Sequence, residues 1–148
     1  MFGTSSTRFL SVNREGLFDQ ARQESEGTVI VPRSGPNYVL KAPLRLGARW
    51  SSTWQSAQAS GPFILPTTKS ITGTNQTITV PAGTFRGCVL VTIAGSAPLP
   101  GTDALLEVSG REWYAPDVGY VKGIFREKVD GAPQQTAEMV FELQSYSQ

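Results

Sequence analysis

The chain of 148 residues contains no histidine and a single cysteine, Cys88. The first absence removes the imidazole as base or ligand, and with it the Ser-His-Asp and Cys-His pairings of nucleophilic catalysis. The second removes any intramolecular disulfide, and one thiol is compatible with every redox compartment. Charge is also scarce: Asp, Glu, Lys and Arg make up 17% of the chain, against about 25% in an average soluble domain. Basic and acidic residues nearly cancel, leaving a net charge of +1. A dedicated nucleic-acid binder carries a basic patch or stripe, so nucleic acid is not an expected partner. No window approaches the roughly 20 apolar residues of a membrane-spanning helix. The longest apolar stretch, residues 88–94, suits a buried strand. The start, Met1-Phe2-Gly3-Thr4-Ser5-Ser6, lacks the charged and apolar regions of a signal peptide. A Met1 placed after a removed leader keeps an exported protein compatible with this beginning.

Few remaining residues are placed for chemistry. Asp19, Asp103, Asp117 and Asp130 lie far apart, mostly in turns, and no Asp-x-Asp spacing marks a calcium loop. No metal or cofactor is expected. Ile71-Thr72-Gly73-Thr74-Asn75 has one glycine and is read as a connection between strands, not as a phosphate loop. Glu107 and Glu112 are five apart on one strand, which points them to opposite faces and argues against a glycosidase pair. Cys88 sits between Gly87 and Val89 in an apolar strand, where burial raises a thiol pKa and quiets it, although Arg86 on the same face opposes that effect.

What the chain does have is strand pattern. Fifteen glycines and ten prolines interrupt nearly every stretch, and apolar residues seldom recur at helical spacing. Residues 17–24 are the best helical candidate, but they are short. Asn13-Arg14-Glu15-Gly16 reads as a hairpin turn after a strand at 7–12, so strand is preferred there too. Residues 84–94 put Phe85, Gly87, Val89, Val91 and Ile93 on one face and Arg86, Cys88, Leu90 and Thr92 on the other, a strand covered partly on both sides. Strands follow at 105–114, where Gly110 marks a bulge or a close approach, at 119–129 and at 136–146. The last places Ala137, Met139, Phe141 and Leu143 inward and Glu138, Glu142 and Gln144 outward. Residues 28–32, 38–41, 49–56 and 77–80 are further strands between Pro- and Ser-rich loops. The expected fold is all-β: one domain over residues 1–148, with antiparallel strands in meander order.

The aromatic residues supply the candidate ligand-binding positions. Trp50 and Trp54 are four apart, hence on one strand face with Ser52 between them, and Trp113 and Tyr114 adjoin the Ala115-Pro116-Asp117 turn. Aromatic side chains on a sheet bind sugars, lipids or peptides, and more commonly they pack a core.

Three segments carry a resemblance: Pro43-Leu44-Arg45-Leu46-Gly47-Ala48-Arg49-Trp50, Val80-Pro81-Ala82-Gly83-Thr84-Phe85-Arg86-Gly87-Cys88, and Trp113-Tyr114-Ala115-Pro116-Asp117-Val118-Gly119-Tyr120-Val121-Lys122. In this order they resemble a diffuse group of uncharacterised bacterial secreted and lipoprotein-like β domains. The resemblance runs from about Pro43 to the segment Phe141-Glu142-Leu143-Gln144-Ser145-Tyr146, with residues 7–39 matching loosely as earlier strands of the same sheet. It implies no catalytic residues. It does imply a cell-envelope, periplasmic or extracellular location, a curved antiparallel sheet, open or half-closed as a barrel, and a partner that is an apolar small molecule or an envelope protein. Physically, Pro81-Ala82-Gly83 reads as a turn in which Gly83 takes positive φ, and Pro116 as the residue that fixes the next hairpin. The resulting expectation is a non-enzymatic β domain that binds or builds. The alternatives are a carrier of a lipid or other apolar ligand in the concave face, and a carbohydrate-binding or carbohydrate-active domain using Trp50, Trp54 or Trp113 with Glu112 or Asp117.

Overall fold

A computed structural model describes residues 6–24, 29–30, 37–56, 63–99, 101, 103–130 and 135–146. Ten strands account for almost all of them: β1 (Ser6–Asn13), β2 (Gly16–Glu24), β3 (Val29–Ile30), β4 (Asn37–Lys41), β5 (Arg49–Ser56), β6 (Phe63–Val80), β7 (Gly83–Pro98), β8 (Leu105–Ala115), β9 (Gly119–Asp130) and β10 (Gln135–Glu142). The all-β expectation holds, and no helix among the described residues is long and apolar enough to cross a membrane.

The strands fall into two compact units, Met1–Pro43 and Leu44–Gln148. In the first, β2 pairs antiparallel with β1 and, through different stretches, with β3 and β4. The Asn13–Gly16 hairpin turn is made as its residues suggest: Asn13 Oδ1 accepts from the Glu15 and Gly16 amides at 2.8 and 3.1 Å. Residues 17–24, the short helical candidate, are strand. The expectation that residues 7–39 begin the same sheet as the rest is corrected. The described strands there, β1 to β4, form a sheet of their own, in which β4 pairs with β2. After it, Pro43 has no N–H to donate, and the exposed turn closed by Ala48 N to Arg45 O separates β4 from β5.

The second unit is a six-stranded antiparallel meander in the order β10-β9-β8-β7-β6-β5. Its middle strands are longer than the sequence suggested. Residues 77–80 are only the end of β6, and Ile71-Thr72-Gly73-Thr74-Asn75 lies inside that strand, not between strands. Residues 143–146 lie beyond the end of β10. In-register residues share a face, so Trp50, Lys69, Ile93, Gly110 and Phe125 form one row on one face. Leu90 and Trp113 stand on the other face.

The Trp50 face is concave. Trp54 on β5 and Phe125 on β9 are four strand steps apart, roughly 19 Å in a flat sheet at about 4.8 Å per step. Their ring centroids are 4.9 Å apart. The sheet therefore curls, without closing its backbone ladder into a barrel. Close packing lets it do so: a Cβ on Gly110 would stand 2.5 Å from Phe125 Cδ1 and 2.8 Å from the Ile124 carbonyl. Of the two readings of Gly110, close approach is the correct one, since the β7–β8 and β8–β9 ladders run through it without a register shift.

Both faces of β7 are covered, as its pattern predicted, but the alternation breaks. Beyond Ile71↔Val91 the β6–β7 ladder shifts register three times, and Gly87 takes a φ of 69°. Phe85 consequently packs with Cys88, three residues on, instead of with Val91 and Ile93. This outer end of the hairpin covers the Trp113 face, where Val80, Cys88, Trp113, Ala115 and Val121 form a cluster with Leu90, Ile124 and Leu143. The turn at its tip is the one expected, with Gly83 at a φ of 139°.

Candidate functional site

The concave face holds three sets of polar contacts among its apolar and aromatic residues. Lys69 on β6 and Glu112 on β8 project from the same face two strands apart, separated by Ile93 and Val91 on β7. Lys69 Nζ lies 2.7 Å from Glu112 Oε1, with the two side chains 6% and 4% exposed. This contact is a close ion pair, not an aligned hydrogen bond. Tyr114, two residues along β8, donates its hydroxyl to Glu112 Oε2 at 3.0 Å. The Ser52 and Thr67 hydroxyls, in register on β5 and β6, share a hydrogen bond of 2.7 Å. Trp54 Nε1 donates to Glu127 Oε1 on β9 at 2.5 Å. Apolar residues fill the intervals: Leu65, Ile71, Val91, Ile93 and Leu106 are all 1% exposed or less.

The four candidate ligand-binding residues divide between the two faces. Trp50 and Trp54 share a face, as their spacing requires, and Tyr114 joins them there. Trp113 does not; it points into the opposite cluster, with the Arg111 guanidinium 5.5 Å from its ring centroid. Trp50, Trp113 and Tyr114 are buried, while Trp54 is half-buried against Phe125. Phe141, expected to point inward, does meet the Phe125 ring at 5.8 Å but stays 49% exposed. It sits on an edge strand, where only β9 flanks it.

The carboxylates also separate. Glu112 is buried on the concave face and Glu107 stands on the other, in register with Lys128, as their spacing implied. Asp117 is exposed in its turn at a φ of 62°. Among the described residues, no group of three or more His, Cys, Asp or Glu is placed to hold a metal ion. Sequence reasoning missed Lys69 and Glu127. The available signal was the alternation Leu65, Thr67, Lys69, Ile71, which puts a lysine in phase with core residues.

Cys88 is fully buried, its Sγ within 3.5 Å of the Phe85 carbonyl. Burial pushes the thiol pKa up. Being raised in the folded chain, this pKa contributes stability present in full below the ordinary thiol range and lost as pH rises through it. A thiol reagent at neutral pH should therefore modify the native protein far more slowly than the urea-unfolded chain; equal rates would contradict the burial.

No family model, curated protein or solved structure matches this chain.

Proposed function

We propose that the protein is a non-enzymatic β module of the bacterial cell envelope or exterior, working as a binding or structural element. The observation that carries this reading is the commitment of the interior ion pair. A general acid or base must reach the proton it transfers. Lys69 and Glu112 are instead held to one another inside the sheet, with Tyr114 on the remaining carboxylate oxygen. The compartment rests on the resemblance of the three motifs to secreted and lipoprotein-like domains.

Burial of Trp50 supports this reading over an apolar-ligand carrier, because that aromatic side chain of the concave face already packs a core. A titration with fatty acid, followed by tryptophan fluorescence, separates the two. The expected result is no saturable change, with Trp50→Ala lowering stability by about 3–5 kcal/mol, the range for a buried large aromatic. Saturable binding that a stably folded Trp54→Ala variant loses would establish the carrier instead.

A further inference from the structure

We infer that residues 143–146 form a displaceable clasp over the Trp113 cluster, whose local release opens that cluster while the rest of the six-stranded sheet stays paired. This is independent of the function proposed above, since the clasp lies away from the Trp50 face. Regular β10 strand ends at Glu142, and Leu143, still bonded to β9 in the same register, is tied in two directions. Leu143 N donates to the Val121 carbonyl on β9 at 2.9 Å, and Ala82 N, in the β6–β7 turn, donates to the Leu143 carbonyl at 3.0 Å. Leu143 thereby bridges two parts of the sheet that share no ladder. Its side chain packs on the cluster, and the Tyr146 ring stands edge-on to Phe85 at 5.7 Å. Gln144, Ser145 and Tyr146 are otherwise exposed.

The attachment is therefore slight, and what lies beneath biases it toward opening. Trp113 Nε1 is buried and has no hydrogen-bond acceptor among the described residues. A buried donor without an acceptor destabilises the closed state, and the penalty disappears once water reaches it. Against this stand two backbone hydrogen bonds, the partial burial of one leucine and the edge-on contact of Tyr146 with Phe85. Segments held by so few buried contacts open locally, at a free energy below that of global unfolding.

Cys88, wholly buried in the same cluster, reports the opening. Native-state labelling of the full chain with an aromatic disulfide reagent, without denaturant, compares wild type with Leu143→Ala, Tyr146→Ala and Val129→Ala. The last alters the separate cluster around Leu65 and Leu106 and controls for global stability. Leu143→Ala should accelerate labelling about tenfold, and Tyr146→Ala several-fold, beyond what their loss of global stability explains. Val129→Ala should accelerate it only as far as its own global destabilisation does. Hydrogen exchange should give the Leu143 and Ala82 amides and the Trp113 indole one shared opening, lower in free energy than that of the β7–β8 ladder. The clasp is refuted if labelling follows global stability in all variants. Should Leu143→Ala fail to fold, Tyr146→Ala, at an exposed ring, decides the matter alone.

Discussion

Replacing Lys69 by Met, with Glu112 left in place, is expected to destabilise the six-stranded unit by about 3–5 kcal/mol. The reason is not the attraction lost but the charge left behind. Glu112 is 3% exposed, and without the ammonium at 2.7 Å its carboxylate keeps only the Tyr114 hydroxyl among the partners described above. A buried, uncompensated charge is far costlier than a pair. The double variant Lys69→Met/Glu112→Leu should recover most of the loss, ending within about 1–2 kcal/mol of wild type, because apolar residues of similar volume replace both charges at once. Urea unfolding followed by tryptophan emission reads this unit alone, since Trp50, Trp54 and Trp113 all lie within it. A single variant that loses less than about 1 kcal/mol, the range of an exposed pair, would place the two groups in water.

Gly110→Ala is expected to cost about 2–3 kcal/mol, the upper part of the range for overpacking a core. The added Cβ would meet Phe125 Cδ1 at 2.5 Å, the Ile124 carbonyl at 2.8 Å and Ile93 Cγ2 at 3.1 Å. The phenyl ring can move, but the carbonyl belongs to the paired β9 backbone. Phe125→Leu in the same chain should therefore recover only part of the loss, and the two substitutions should couple strongly, as contacting residues do. Additive effects in thermal or urea unfolding would mean that the ring is not what Gly110 makes room for.

The sequence made the strands legible where apolar and polar residues alternate and glycine or proline marks the joints. The β8–β9 hairpin and the alternation along β10 follow from that pattern alone. β6 was legible only at its end, because Thr67, Thr68, Lys69 and Ser70 read as polar loop although Thr67 and Lys69 are buried. Alternation names the residues that share a face; it does not name the partner that lets a lysine be buried. That partner is 43 positions away in the chain, so it emerges only from the register. The division of Trp113 from Trp50 has a similar origin. Both are candidate ligand-binding aromatics in the sequence, but the sheet buries ring systems on each of its two faces, and the hairpin that covers Trp113 reaches it through shifts in register at Gly73, Gln76 and Ile78.

The central claim, that the concave face is a core and not a binding surface, is tested most directly by the indole N–H signals of the protein labelled with ¹⁵N-tryptophan. Trp54 Nε1 is bonded to Glu127 across the curl of the sheet. Its proton should persist in heavy water long after those of exposed amides have exchanged, and its position should not move when fatty acid is added. Immediate exchange of that proton, or a shift that saturates with fatty acid, would show an open face and contradict the account.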